Sequence, residues 1–319
     1  MTNPDKTIDE LINDFAKNPA PAPAPKEPER VAGLTVKEMA ELAHRINMRK
    51  DMLNGNTRPR LGLAEIGPTE RCAMEQSAKD LGCSPKDFED YNNKVVPYRP
   101  GPDAKSYSQG PFAGNFVSYG RAVVAAVPDD IADIVREYLG PKGNHYYLEL
   151  LNPGMLSEKL APFGYKVCEL TRYYLFRDYD TNHLCLDVSY DIRLLDSDDL
   201  DAIDHAAWPH AVCDATYRPT RMAAGAYIDG ELVGIAGCTG DCDMLWQIGV
   251  DVKESFRGNN IGPTLVKYLA VQMLEEGAEP FCRAASPDFL SAKMASECGF
   301  APAWVELTIK PAEFIKNQN

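Results

Sequence analysis

Residues 249–262 read GVDVKESFRGNNIG. Ahead of them, MLWQIGVDV (244–252) alternates apolar and polar positions, and behind them Leu265, Leu269, Val271 and Leu274 recur at helical spacing. The first pattern predicts a strand and the second an amphipathic helix, so the quoted stretch is a strand-to-helix junction. A helix N-terminus presents unpaired N–H groups and the positive end of the helix dipole, which suits residues 257–262 to an anion and most naturally to a phosphate. Gly258 and Gly262 let backbone approach a ligand, and Asn260 is one of the few non-glycine types that tolerates positive φ. On glycine spacing alone, an ordinary turn with a solvated Arg257 serves equally well. A Walker loop is excluded, because Gly258 is followed five residues on by Pro263 with no Lys-Ser pair, and no GxGxxG opens the helix.

The chain has 319 residues, about twice the usual domain length, so two domains are expected. Lys and Arg total 33 against 47 Asp and Glu, a net charge of −14 that works against a nucleic-acid partner and mildly favours cationic small molecules. Nine cysteines without repeated spacing fit a reducing compartment, most of them as small core residues. The opening MTNPDKTIDE lacks a signal-peptide pattern and no apolar run reaches membrane-spanning length, so the reading is a cytoplasmic protein without membrane anchoring.

Residues 1–32 form an Ala/Pro-rich tail: PAPAPAPKEPE (19–29) is a polyproline spacer, preceded by a short stripe at Ile8, Leu11, Ile12 and Phe15. The middle contains NFVSYGRAVVAAVPDDIADIVREYLG, a strand pair leading into a helix. The same order returns later: AAGAYIDGELVGIAG is a hairpin around Asp229-Gly230, followed by strand, helix IGPTLVKYLAVQMLEEG, strand PFCRAA, helix DFLSAKMASECGF and strand AWVELTI. LSEKLAPFGY (156–165) lays on LSAKMASECGF (290–300) with one gap, which points to two related α/β halves.

From about residue 187 to 319, the element order and the RGNNIG loop resemble the GNAT superfamily of CoA-dependent N-acyltransferases, whose (R/Q)xxGx(G/A) loop holds the CoA pyrophosphate. Arg257 and Gly262 match, with Asn260 at the central glycine. The resemblance implies an α/β (α+β) fold of two GNAT-like domains, each a mixed, mostly antiparallel twisted sheet flanked by helices. Residues 33–182 are the degenerate N-terminal one and 183–319 the N-acetyltransferase domain. It implies acetyl-CoA as cosubstrate, held by Val250, Asp251 and Val252, by Arg257, Gly258, Asn259, Asn260, Ile261 and Gly262, and by Asp288 and Ser291 at the second CoA-facing helix. It also implies acyl transfer to a primary amine by direct attack.

Such an attack needs the amine deprotonated. Where many relatives carry a glutamate on the fourth strand, this chain has Gln247, which orients a water but accepts no proton. Asp241 and Asp243 are the substitute candidates, and a solvated turn is their other reading. Ala295 stands at the position of the family's tyrosine acid, leaving Ser296 or water. Both departures keep a second reading open, a CoA-binding or ligand-sensing module without chemistry. His205, His210, Cys238 and Cys242 lack zinc spacing, and DYDTNHLCLD (178–187) has His183 where a calcium loop needs glycine, so no metal is expected. Trp208, His210 and Tyr217 lie in the segment that covers the acceptor in relatives, as pocket lining or as core. The acceptor remains open, as does the choice of monomer or homodimer. The N-terminal junction puts Asp129 and Asp130 where phosphates would sit, so that half should bind no CoA.

Overall fold

In the computed structural model, residues 30–31, 34–35, 66–105, 112–141, 152–176, 190–213, 219–240 and 242–316 are described. The strands are β1 Arg30–Val31, β2 Leu34–Thr35, β3 Lys94–Pro97, β4 Gly114–Ser118, β5 Val123–Val127, β6 Tyr165–Phe176, β7 Asp191–Leu195, β8 Thr220–Ile228, β9 Glu231–Thr239, β10 Leu245–Val252, β11 Glu279–Ala285 and β12 Phe300–Pro311. The helices are α1 Pro68–Leu81, α2 Ala132–Leu139, α3 Asn152–Leu160, α4 Ser197–Ala202, α5 Ile261–Glu275, α6 Phe289–Glu297 and α7 Ala312–Lys316. The tail stripe, the Ala/Pro tract, the loop at 178–187, Tyr217 and Asp241 lie outside the described residues.

β1 and β2 pair with each other, and the remaining strands make one ten-stranded sheet in the order β3-β5-β4-β12-β6-β11-β10-β9-β8-β7. Only β3–β5 and β10–β11 are parallel. The sheet is therefore mixed and mostly antiparallel, with helices on both faces, as expected. The predicted hairpin is present: Asp229 and Gly230 both have positive φ (51° and 82°), the two-residue turn whose twist matches its strands.

One expectation changes. Two sheets were expected, one for each half, yet the sheet runs continuously across the proposed boundary at 182/183. β6 precedes that boundary but lies between β11 and β12, which follow it. The physical reason is in its sequence. Tyr173 and Leu175 pack on one face with α1, while Tyr174 and Phe176 pack on the other with α5 and α6. A strand apolar on both faces belongs in the interior of a covered sheet. β6 and β12 pair from Phe300↔Phe176 to Pro311↔Tyr165. Each follows a glycine at positive φ, Gly164 (80°) and Gly299 (88°), and these glycines are the next-to-last residues of the two segments that align in sequence.

One face of the sheet is covered by α5 and α6 over β8–β11 and by α2 and α3 over β4, β5 and β12. On the other face α1 crosses the centre, touching Val117 and Val124 of the N-terminal part and Leu245 and Phe281 of the C-terminal part. Beneath it lies a buried charge cluster. Lys105 Nζ is 3.1 Å from Asp80 Oδ2 and 3.8 Å from Glu306 Oε1, with all three side chains at most 8% exposed. Glu306 also accepts from Trp304 Nε1 at 2.8 Å, Tyr173 Oη at 3.1 Å and Asn115 Nδ2 at 3.1 Å.

Removing one member of a buried ion cluster strands the others without solvent, which costs about 3–5 kcal/mol. Lys105→Met should lower unfolding free energy by about that amount in urea titrations. No measurable loss would show that the two carboxylates have another source of compensation.

Candidate acyl-CoA site

β10 and β11 pair only at Leu245↔Glu279, Trp246↔Pro280 and Gln247↔Phe281. Past Gln247 they fork. β10 stays paired to β9 through Val252↔Gly234, and β11 stays paired to β6 through Ala285↔Thr171. The direction of the exposed edge follows from ladder alternation. Lys253 N–H donates to Val233 O at 2.9 Å, so every second residue back along β10, Asp251 and Gly249, turns its backbone toward β9. Glu279 N–H donates to Met244 O at 2.7 Å, which sets the even residues toward β11. Ile248, Val250 and Val252 therefore turn their backbones to the side of β11; the last pair, Gln247↔Phe281, takes up the Ile248 N–H, so the Ile248 carbonyl and both backbone groups of Val250 face into the fork.

The loop after β10 leads into α5. Asn260 adopts φ 61°, ψ 12°, a left-handed conformation that few side chains other than Asn tolerate, and Gly258 has φ 83°. The N–H groups of Asn260, Ile261 and Gly262 make no hydrogen bond among the described residues, and the first bond of the helix is Thr264 N–H to Asn260 O at 3.2 Å. Thr264 Oγ1 donates to the same carbonyl at 2.8 Å. A cavity of about 420 Å³ opens there, lined by Val252, Arg257, Gly258, Asn260 and Gly262 together with Lys293 and Glu297 of α6. A Cβ on Gly262 would sit 3.6 Å from Val252 Cγ2 and 3.7 Å from Met294 Sδ, ordinary contact, with little room for a branched side chain.

Arg257 is exposed, and its Nε donates to Val252 O at 3.1 Å, which fixes the guanidinium at the cavity wall. Asn259 Nδ2 donates to Phe256 O at 3.2 Å. Tyr190, just before β7, donates its hydroxyl to Asn259 O at 2.5 Å and braces the loop from outside. Lys293 and Glu297 face each other at 3.6 Å, one turn apart on α6. Sequence reasoning missed Tyr190, Lys293 and Glu297. The i, i+4 spacing of the last two marks a shared helix face, but nothing local says which.

Other expected residues stand elsewhere. Asp288 caps α6, accepting Ser291 N–H at 3.0 Å, and Ser291 joins the site only through that cap. Hydrogen bonds from Ser291 hold the Asp288 carboxyl below its ordinary range, with a smaller contribution from the charge of His210. Asp251 points its side chain to the face opposite α5, where it accepts His210 N–H at 2.8 Å, Ala211 N–H at 2.9 Å and His210 Nδ1 at 2.7 Å. Segment 208–212 lies so close that a Cβ on Gly249 would be 1.8 Å from His210 O and one on Gly237 2.0 Å from Ala211 O. Trp208 is buried there, while His205 Nε2 bonds Leu200 O at 2.7 Å.

Gln247 is the last paired residue before the fork. Asp243 is exposed, in the bend two residues before β10 begins, on the closed side of the fork. Ala295 is buried in the core against α5, and Ser296 Oγ donates to Ala292 O at 3.0 Å, so α6 turns no free hydroxyl to the fork at either position. Burial raises the thiol of Cys238 to about 12. Among the described residues, no helix is long and apolar enough to cross a membrane.

Residues 189–300 match the family model for acetyltransferases of the GNAT family. No functionally curated protein matches the chain in sequence. Among solved structures, a Novosphingobium aromaticivorans DSM 12444 protein named as a GNAT-family acetyltransferase is similar over 69% of this chain and 83% of its own, at 16% identity and a TM-score of 0.37. A Drosophila protein is similar over 90% of this chain and 100% of its own, at 12% identity and a TM-score of 0.39. An aminoglycoside N-acetyltransferase in complex with CoA is similar over 36% of this chain and 89% of its own, at 20% identity and a TM-score of 0.29. These structural likenesses are too low to carry an argument about function; the family match stands on the sequence between the start of β7 and the start of β12. Residues 189–300, with the forked strands and the 257–262 loop at their centre, form a domain of the GNAT family of acetyltransferases.

Proposed function

We propose that the chain transfers an acyl group, acetyl in the first instance, from acyl-CoA to a primary amine of a small molecule or peptide. The observation that carries this reading is the bare strand edge centred on Val250 beside the unpaired N–H groups of Asn260–Gly262, with Val252 and the loop lining one cavity. The loop offers a pyrophosphate three N–H donors, the positive end of a 15-residue helix and the Arg257 guanidinium, and Lys293 of α6, paired with Glu297, lines the same cavity. The edge offers an amide-containing chain N–H and C=O partners at Val250, two residues from Val252, whose own carbonyl is taken by Arg257. A pantetheine arm lying there places its thioester inside the fork. The amine then approaches past the edge of segment 208–212, on the side of β10 where Asp251 lies, and Gln247 at the vertex is assigned the orienting of a water.

The N-terminal junction lacks these features. β5 enters a short 3-10 turn at Asp129–Ile131 with exposed carboxylates and no positive-φ residue. We therefore assign one acyl-CoA site per chain, and propose that residues 33–182 are a GNAT-like relative of 183–319 that packs against the catalytic half. A CoA-binding module without chemistry is the second reading, favoured by Ala295 in the core. Thiol release from acetyl-CoA in the presence of a panel of amines separates the two: a binder shows none with any amine.

Because Asn260 is already left-handed, Asn260→Gly should bind acetyl-CoA like the parent, whereas Asn260→Val should strain the loop by about 1–2 kcal/mol and weaken binding. Gly262→Val should keep the parent's circular dichroism while its branched side chain fills the cavity and abolishes binding. Arg257→Ala should weaken binding, more at low salt than at high. A folded Gly262→Val that binds acetyl-CoA as tightly as the parent would remove the loop from the site.

Isothermal titration of the full chain with acetyl-CoA should give a stoichiometry of one. Two equivalents would place a second site in the N-terminal half and contradict its assignment.

A further inference from the structure

We propose that His210 is the general base of the transfer reaction and that Asp251 holds its ring for that task, an assignment resting on the acyl-transfer reading above. The three residues expected for this role leave it unfilled: Gln247 accepts no proton, Asp243 stands on the closed side of the fork, and Asp241 lies outside the described residues. His210 is placed where a base is needed. Its carbonyl rests on the Cα of Gly249 and its ring meets Asp251, the next residue on the same face of β10, beside the open edge at Val250. A carboxylate accepts only, so in the neutral ring Nδ1 carries the proton in the contact of 2.7 Å and Nε2 holds the lone pair. The His210 side chain is 76% exposed and the Asp251 side chain 15%, which gives a ring open to an incoming amine on a fixed anchor.

The charged groups around the ring favour the same role. Asp251 meets the ring from β10, and at the start of α6 the charge of His210 makes a small contribution to the lowered Asp288 carboxyl. Lys253 is the nearby cation; it is turned to the Trp208 ring, 6.0 Å away, and to Glu231 at 2.7 Å. The Asp251 carboxylate keeps the ring in place while Nε2 takes up the proton. In the step itself, the substrate ammonium gives one proton to Nε2 and the neutral amine attacks the thioester carbonyl. The C–N bond forms, collapse of the tetrahedral intermediate breaks C–S, and the second amine proton passes to the departing thiolate. Amide, free thiol and imidazolium result, and the imidazolium returns its proton to water.

The same contacts also anchor segment 208–212, since Asp251 accepts the N–H groups of His210 and Ala211. His210→Asn separates the two roles. Its amide nitrogen stands where Nδ1 stood and keeps the bond to Asp251, but it has no second nitrogen to accept a proton. The full chain, with acetyl-CoA and spermidine, tyramine, an aminoglycoside or a peptide with a free N-terminus, is assayed for thiol release, and the amine that accelerates it most is followed against pH. For the parent, log kcat/KM should fall with unit slope on the acid side. In His210→Asn that limb should vanish, kcat/KM near neutrality should drop about 10²–10⁴-fold, and acetyl-CoA Kd and Tm should stay at the parent's values. A His210→Asn that keeps the parent's rate and pH profile overturns the assignment, as does one whose rate loss is matched by a lower Tm and a weaker Kd. A parent that binds acetyl-CoA but releases thiol with none of the amines overturns the transfer reading and the base together, so the two failures are told apart.

Discussion

Every strand N–H and C=O must find a partner or face water, and at the centre of this sheet two neighbouring strands stop pairing after three residues. Each is held by its other neighbour, β10 by β9 and β11 by β6, so the fork stays open without costing either strand its order. The bare edge centred on Val250 is the consequence, and the rest of the site is arranged around it. The loop that follows turns back over the edge through Gly258 and the left-handed Asn260, the first turn of α5 packs Gly262 against Val250 and Val252, and segment 208–212 closes the opposite face over Gly237 and Gly249.

The features that could be read from sequence are those whose cause is local. Period-two and helical spacing fixed β10 and α5, the Asp229-Gly230 pair marked its hairpin, and Asn260 at a junction between two glycines announced a positive φ that the backbone has. What could not be read depends on residues far apart in the chain. β6 has a continuous apolar run, RYYLF, which says that both faces are buried but not between which strands, and the two-sheet expectation failed there. Lys105, Asp80 and Glu306 have no common motif, and only the crossing of α1 over the centre brings them together.

The contrast between Asp243 and Asp251 makes the same point within one strand. Both are acidic residues near β10, and the pattern of the sequence favours the first because it enters the strand. The direction of the fork decides for the second, since Asp251 sits on the open side and holds an imidazole 41 positions away in sequence. The acidic balance of the chain agrees with an amine acceptor, a cation that such a surface attracts.

The central claim is that the bare edge of β10 and the start of α5 form one acyl-CoA cradle. Hydrogen exchange of backbone amides, measured on the full chain with and without acetyl-CoA, reads those groups directly. The account predicts slowed exchange at Asn260–Gly262 and at Val250, with no change at Asp129–Ala132 where β5 meets α2. Unchanged exchange at Asn260–Gly262 under saturating acetyl-CoA, or protection at Asp129–Ala132 in its place, would contradict it.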